Sequence, residues 1–492
     1  MLALALAGGA WRLLGGLRAA VISRDGIAYL ETARQFAAGD LAAFQRHTAP
    51  GFPLLVALVG RVTGVGEAQA LALAALCGAL SVVGAALLAE RLAGRRAALL
   101  AAALTAFLPL LVELGGEVLS EPLLLATLPW TLWALARLGG PRSAREGAAW
   151  GLVAGALGGL GYLARPEGVL ILVAGAGVLL CLRPGVLWRR RLADLAWLSW
   201  PALLIVVGFM VAIRSESVLG GSQGGAWKLT LKRNLGHHLG AWTLAGGASN
   251  LGEQLRRLGQ ALWPALGLLP ALVWSARGGL RRAQGEPLGA GASAPQRELT
   301  GLLLRRLLWA TGAALLTAYV LIRPDRRYAA PLALVVIPLL AAAGARWLEE
   351  GQAAREIARR RRRWAVVLIP LLGASLALGV RPRRAAKASY REAGRLLAER
   401  GARRVLAHDS RVAYYARARA LELIWLVPEE PRAPAAIVRA AQVERADALV
   451  LVEEDVADRA RVARVGELLS QPGQKVQARG AVPLRLFWLE RP

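Results

Sequence analysis

The sequence predicts a polytopic α-helical membrane protein, about eleven transmembrane helices followed by a small C-terminal α/β domain. Three observations carry that expectation. First, uncharged apolar stretches follow one another through the first 380 residues, as at 69–89, 195–213 and 328–345, and several approach the roughly 20 residues a helix needs to cross hydrocarbon. Second, Arg is concentrated in alternate loops between those stretches, which is the pattern of cytoplasmic anchoring. Third, charged residues become frequent after about residue 381, and short apolar runs alternate there with helical patterns, as in an α/β domain.

The expected spans are 1–22, 69–90, 97–113, 118–137, 147–164, 167–183, 194–213, 258–276, 303–322, 328–346 and 364–380. Helices are the natural solution, because backbone groups in lipid must be satisfied within the segment. The first span is a poor one, interrupted by Arg12 and Arg18. It has no basic region ahead of its apolar stretch, so it reads as a membrane helix and not as a cleavable signal. An odd number of spans puts the termini on opposite sides. The Arg-rich loops then set the N-terminus in the cytoplasm and the C-terminal domain outside.

With that parity, 23–68 and 214–257 become long external loops, and 113–121, 164–167 and 322–328 become short external corners. Residues 26–38 read as an amphipathic helix with Ile27, Leu30, Ala33 and Ala37 on one stripe, lying on the membrane surface. Residues 52–60 are apolar but too short to span. Gly151, Gly155 and Gly159 recur every four residues inside a span, which signals close helix packing. Two domains result: 1–380 in the membrane and 381–492 outside. Strands are expected at 404–408, 421–427, 448–452 and 484–489, with helices at 387–400, 411–418, 434–445 and 455–469.

The net charge of +28, from 61 Lys and Arg against 33 Asp and Glu, would suggest a nucleic-acid partner on a soluble protein. Here the basic residues sit in short loops between spans, so no nucleic-acid partner is expected. The partners are membrane lipids first. The two cysteines, Cys77 and Cys181, fall inside apolar spans and offer no disulfide framework. No metal-binding HExxH, Walker A loop or nucleophile elbow is present, and the adjacent His237 and His238 suit a loop.

The residues that could carry chemistry gather on the external side. Asp25 follows the first span; it is either a helix N-cap or a catalytic carboxylate, and the two roles are compatible. Glu113, Glu117 and Glu121 are four apart and share a face if the segment is helical. Pro122 signals a helix start near Ser120; Glu113 reads as a cap or solvated loop residue in preference to a functional one. Glu121 enters an apolar span, where an ionisable group is costly and usually functional. Arg165-Pro166-Glu167 and Arg323-Pro324-Asp325-Arg326-Arg327-Tyr328 form corners whose Arg residues either pair locally or make a fork for phosphate.

Taken in order, these pieces resemble the polytopic C-type glycosyltransferases, specifically the bacterial relatives of protein mannosyltransferases (family 39) and of the lipid A aminoarabinose transferase. The first piece is Arg24-Asp25-Gly26-Ile27-Ala28-Tyr29, then Ala38-Gly39-Asp40 and His47-Thr48-Ala49-Pro50-Gly51-Phe52-Pro53. Ser120-Glu121-Pro122 and Leu163-Ala164-Arg165-Pro166-Glu167-Gly168 follow. Arg326-Arg327-Tyr328 with Pro331 and Pro338 closes the set. In the tail, Ala413-Tyr414-Tyr415-Ala416 is similar to a stretch of bacterial members.

The resemblance implies a membrane enzyme that moves a sugar from a polyprenyl-phosphate-linked donor to an acceptor hydroxyl on the outer face. It carries the base role to Asp25 and sugar orientation to Glu121. Donor phosphate contacts go to Arg165, Arg327 and Arg24, and substrate contacts to Tyr29, His47, Glu117, Glu167 and Tyr328. A single displacement would invert the anomeric centre. The acceptor stays open among a lipid, a glycan and a protein. No cofactor is implied, and a divalent metal is left open because Gly26 stands where many members have a second acidic residue. Two other classes compete. A secondary transporter would show internal repeats and midplane charges, and neither is visible in the sequence. A scaffold displaying an outer binding domain would leave the ordered acidic and Arg corners without a role.

Overall fold

The computed structural model describes residues 1–41, 49–140, 143–181, 186–220, 244–262, 294–321, 326–349, scattered positions between 365 and 377, 384–426, 433–454, 456–478 and 481–489. The expected spans at 258–276 and 364–380 therefore lie largely outside the described residues. So do His47, Arg323, Asp325 and most of the 214–257 loop.

Chain contacts divide the protein into two compact units. One comprises Met1–Leu14 and Thr32–Val380, the other Gly15–Glu31 and Arg381–Pro492. The first is helical. Its elements are α1 (Leu2–Leu17), α2 (Arg24–Ala37), α3 (Gly51–Thr63), α4 (Glu67–Phe107), α5 (Pro109–Gly115) and α6 (Glu121–Gly139), then α7 (Ala144–Ala164), α8 (Gly168–Cys181), α9 (Trp188–Gly220), α10 (Leu244–Leu262), α11 (Ala294–Leu321) and α12 (Ala329–Glu349). The unit boundary falls inside α2, between Glu31 and Thr32. Among the described residues five segments are long and apolar enough to cross a membrane: Glu67–Phe107, Ala144–Ala164, Trp188–Phe209, Gly301–Val320 and Arg326–Arg346. Shorter apolar helices run over Leu2–Leu17, Gly51–Thr63 and Gly168–Cys181.

Two expected spans, 69–90 and 97–113, are joined in α4. The backbone leaves the helix at Ala93 and at Gly94, whose φ of 76° favours glycine. Arg346 of α12 donates to Leu92 O at 3.2 Å beside this break. A second break at Leu108 separates α4 from α5, with Pro109 opening the new helix. The glycine stripe of α7 packs on α9. A Cβ on Gly155 would lie 2.1 Å from Leu198 O, and one on Gly151 would lie 2.6 Å from Trp197 Cβ, so only glycine permits that approach.

Arg12 does not weaken α1 in the manner its sequence suggests. Its side chain is buried, 1% exposed. It donates to the carbonyls of Gly8 (2.9 Å), Thr105 (2.6 Å), Ala106 (2.9 Å) and Leu111 (3.2 Å). The last turn of a helix leaves carbonyls without partners, and the fork of Arg satisfies two of them, Thr105 and Ala106, while its Nε reaches Leu111 in α5. Gly78 and Gly115 make room for its stem; a Cβ on either would sit within 2.6 Å of it.

The second unit is a three-layer α/β/α domain. A five-stranded sheet has the order β2-β1-β3-β5-β4, with β1 (Arg404–Ala407), β2 (Arg419–Glu422), β3 (Ala448–Val452), β4 (Gln474–Val476) and β5 (Leu484–Trp488). Strand β1 is parallel to both β2 and β3, whereas β5 is antiparallel to β3 and β4. Alternate residues feed two cores. Val405, Ala407, Val450 and Leu486 join Tyr390 and Leu397 of α13 (Ala388–Glu399) and Val412 of α14 (Ser410–Tyr415). Leu406, Leu449, Leu451 and Phe487 meet α16 (Pro434–Val443) and α17 (Val456–Leu468) on the other face.

The strand expected at 421–427 is a correction. Strand β2 stops at Glu422, and Leu423–Leu426 turn into a helix, α15. Leu423 there enters the second core, a demand of packing that overrides the β-forming composition. The segment Gly15–Glu31 is built into this unit. Val21 is fully buried in its first core. Ile22 N donates to Tyr415 Oη at 2.8 Å, and Arg384 donates to Val21 O at 3.3 Å. The tail residues 413–416 thus anchor the stretch that precedes Asp25.

Candidate functional site

In the helical unit, five of the residues nominated from sequence meet at one corner. Chain geometry prepares it. Helix α7 ends at Ala164, and the turn Arg165-Pro166-Glu167 leads directly into α8. Gly168 lets the turn close, since a Cβ there would lie 2.3 Å from Gly161 C. Gly51, at the head of α3, lies against the same corner; its Cβ would sit 2.6 Å from Ala164 N. The Pro-Gly-Phe-Pro turn and the Arg-Pro-Glu corner, far apart in sequence, are therefore in backbone contact.

Glu121 is the centre. Residues 109–121 are not one helix, so the three glutamates do not share a helical face. The chain turns between Gly116 and Ser120, and α6 opens at Glu121 with Pro122 in its first turn. The helix start expected from Pro122 is thus where the sequence puts it. A carboxylate here faces the positive end of the helix dipole. Glu121 is 2% exposed, and its Oε1 lies 2.5 Å from Arg165 Nη1 and 3.6 Å from Arg327 Nη1.

Arg165 also forks onto Glu167, through Nε at 3.3 Å and Nη2 at 3.0 Å. Its guanidinium lies 5.1 Å from the centroid of the Tyr328 ring. It is thus fixed on two carboxylates and one aromatic face. Arg327 is less enclosed, its side chain 39% exposed. Its neighbour Arg326 pairs with Glu113 at 2.9 Å. Consecutive arginines of the turn Arg326–Tyr328 therefore hold two acidic residues on either side of the 116–120 turn. Glu113 is an ion-pair partner, not the cap or solvated loop residue its position suggested. Glu117 is half-buried in the turn.

Tyr319 was not legible as part of this corner. It is a lone tyrosine in the apolar run of α11. Its ring stacks on Tyr328, centroids 4.8 Å apart and planes 16° from parallel. Its hydroxyl is buried and makes no hydrogen bond among the described residues. A buried hydroxyl without a partner is unusual and marks a polar position beside the charged cluster.

Arg24, Asp25 and Tyr29 belong to the other unit. Ser23 Oγ accepts from Gly26 N at 3.1 Å, so Ser23 caps α2. Arg24 and Asp25 are exposed in the first turn, and Tyr29 is buried. Of the stripe expected on this helix, Leu30 and Ala33 are fully buried. Among the described residues no three His, Cys, Asp or Glu side chains gather as metal ligands.

Similarity to known proteins agrees with this architecture. The family of dolichyl-phosphate-mannose-protein mannosyltransferases matches residues 47–213, which include α3, Glu121 and the Arg165 corner. No curated protein matches by sequence. By fold, the chain is similar to ArnT from Cupriavidus metallidurans bound to undecaprenyl phosphate, with TM-score 0.67 and 16% identity over 98% of this chain and 96% of that one. The apo form of that protein gives the same score and identity, over 97% and 95%. The archaeal oligosaccharyltransferase AglB from Archaeoglobus fulgidus, in complex with an inhibitory peptide and a dolichol-phosphate, matches with TM-score 0.53 and 14% identity over 85% of this chain and 63% of that one. By a family match across its early helices and a fold shared over nearly its whole length, the chain is similar to the dolichyl-phosphate-mannose-protein mannosyltransferases and has the fold of ArnT.

Proposed function

We propose that the protein is a membrane glycosyltransferase that moves a sugar from a polyprenyl-phosphate-linked donor to an acceptor hydroxyl. The observation that carries this reading is the convergence of Arg165 and Arg327 on the buried carboxylate of Glu121. The similarity to a protein bound to undecaprenyl phosphate supports it.

In the reaction, the acceptor oxygen forms a bond to the anomeric carbon while the bond from that carbon to the phosphate oxygen breaks. The phosphate departs with the electron pair, and the acceptor proton goes to a base. A single attack inverts the anomeric centre. Charge grows on the leaving phosphate, and fixed guanidinium groups stabilise such charge without reorganising. Arg327 is the phosphate ligand in this reading, since its side chain is the more exposed. Arg165, committed to Glu121 and Glu167, sets the position of the cluster and adds its field.

Asp25 is the proposed base, on the sequence pattern and on its exposure in the first turn of α2. Arg24 supports the donor phosphate. Glu121, Glu117, Glu167, Tyr29, His47 and Tyr328 orient sugar or acceptor. The distribution of Arg among the loops supports an active face on the periplasmic side of the inner membrane.

The test is transfer of radiolabelled sugar from polyprenyl-phosphate donors in membranes, comparing the wild type with Asp25→Asn and Arg327→Ala. Label reaching an acceptor, and lost in both variants, supports the reading. Transfer at the wild-type rate in Asp25→Asn removes Asp25 as the base, and no transfer from any donor removes the class.

A further inference from the structure

The soluble unit contains a cavity of about 490 Å³ beyond the carboxyl ends of β1 and β3. These two strands are adjacent and parallel, and the connections leaving them diverge. From β1 the chain passes through α14 to β2 at one edge, and from β3 it passes through α17 to β4 and β5 on the other side. Such a switch point opens a crevice beyond the strand ends, where open α/β sheets bind ligands. The residues that follow the strands, His408 and Asp409 after β1 and Glu454 after β3, line it. The volume falls within the roughly 300–1,000 Å³ of small-ligand sites.

The lining says what chemistry fits. Asp409 and Arg411 form a buried bidentate pair, 7% and 4% exposed, which gives a rigid polar floor. The Arg411 guanidinium lies 5.2 Å and the Lys387 ammonium 6.0 Å from the centroid of the Tyr390 ring. Among the described residues Lys387 makes no ion pair. Burial lowers its proton affinity, and the charge of Arg411 lowers it further. Arg461, held to Asp458 at 2.9 Å, contributes from α17, and Arg24 completes the basic set. Basic lining residues outnumber acidic ones four to three. An excess of cation favours an anion, and Lys387 is the group an anion would satisfy. The interleaved carboxylates and guanidiniums match hydroxyls that both donate and accept. The aromatic surface is already approached by two cations, which argues against a stacked nucleobase.

We propose that this crevice binds a phosphorylated sugar. Its identity as part of the acceptor rests on the transferase reading above; the binding itself does not.

The experiment is equilibrium binding of glucose 1-phosphate to the full chain in nanodiscs, with glucose and inorganic phosphate as separate probes. Glucose 1-phosphate is expected to bind saturably, and each of the other two at least about tenfold more weakly. Lys387→Ala and Arg461→Ala are each expected to weaken binding about tenfold, the loss of one charge-assisted contact. Lys387→Arg should retain it, and Arg327→Ala, in the other unit, should leave it unchanged. An unchanged unfolding midpoint shows that the variants fold. Absence of saturable binding, equal binding by Lys387→Ala, or glucose or phosphate alone binding as well, overturns the proposal. Competition by a short-chain polyprenyl-phosphate glucose that exceeds the free sugar phosphate assigns a lipid-borne head group. The reverse order assigns a soluble glycan, and both orders sustain the site. Binding without transfer would leave this proposal standing while the transferase reading falls, and transfer without binding would do the opposite.

Discussion

Arg165 Nη1 lies 2.5 Å from Glu121 Oε1, a pair joining the corner after α7 to the first residue of α6 across 44 positions of sequence. Because the carboxylate is 2% exposed, Glu121 has little water to fall back on when Arg165 is removed.

Glu121→Ala is therefore expected to cost about 3–5 kcal/mol of stability, as breaking a buried pair does, and to abolish transfer. Thermal unfolding in detergent checks the first and the labelled-sugar assay the second. Arg165→Lys should rescue little. A lysine carries the charge but cannot fork onto Glu167 while reaching Glu121. An unfolding midpoint for Arg165→Lys equal to that of the wild type would contradict this account of the corner.

Arg327→Ala separates binding from folding. Its ion pair is long and its side chain 39% exposed, so stability should fall by less than about 1 kcal/mol. The apparent KM for the lipid-linked donor should rise about tenfold or more, as when a charged hydrogen bond to phosphate is lost. A KM that stays put, with kcat reduced instead, would mean that Arg327 acts on the transition state and not on donor capture.

Arg12→Met keeps much of the buried stem and removes the fork. Carbonyls of Thr105, Ala106 and Leu111 would lose their partner, at about 1–3 kcal/mol for each buried group left unsatisfied. The expected result is a lower unfolding midpoint. Transfer should fall as well, because the break held by Arg12 leads into the turn that sets Glu121. A variant as stable as the wild type would show that those carbonyls find other donors.

The Asp409–Arg411 pair predicts a pH dependence in the soluble unit. Burial alone would raise the Asp409 carboxyl, but hydrogen bonds and charge from Arg411 outweigh it and bring the value below the ordinary one. Its contribution is thus fully present above the unfolded carboxylate range, near pH 4, and is lost as pH falls through the lower folded value. Asp409→Asn should be less stable than the wild type at pH 7, by about 3 kcal/mol. That difference should shrink below about pH 4. Parallel stability curves across this range would show that the pair is not what the carboxylate contributes.

Much of this was legible from residue types alone. Pro122 after Ser120 marks a helix start, the glycines of α7 mark a packing face, and the acidic and Arg corners mark charges that lipid would not tolerate unpaired. What was not legible is partnership. The sequence gives no sign that Glu113 takes Arg326 while Glu121 takes Arg327, because the register of one turn against another is a tertiary fact. Arg12 read as a flaw, since the carbonyls it serves are exposed only by a break nearly a hundred residues later. Tyr319 was hidden in an apolar run, where a ring and a methyl group follow the same periodicity. Strand β4 is three residues long and opens with two exposed polar ones, so no alternation could reveal it; pairing with β5 creates it. Asp25 was weighed as a cap because caps are read from residue type, and Ser23, two positions earlier, has equal title to the role.

The carbonyl cage around Arg12 also bears on how the protein is made. The first helix leaves the ribosome with its charge, and the acceptors at Thr105, Ala106 and Leu111 follow 93, 94 and 99 residues later. At about 5–20 residues per second, Arg12 waits several seconds or more for its partners. A charge inside hydrocarbon is costly meanwhile. Helix α1 must then linger at the insertion machinery or the lipid headgroups until α4 and α5 emerge, and its final seating is a late event in biogenesis although it is synthesised well before them.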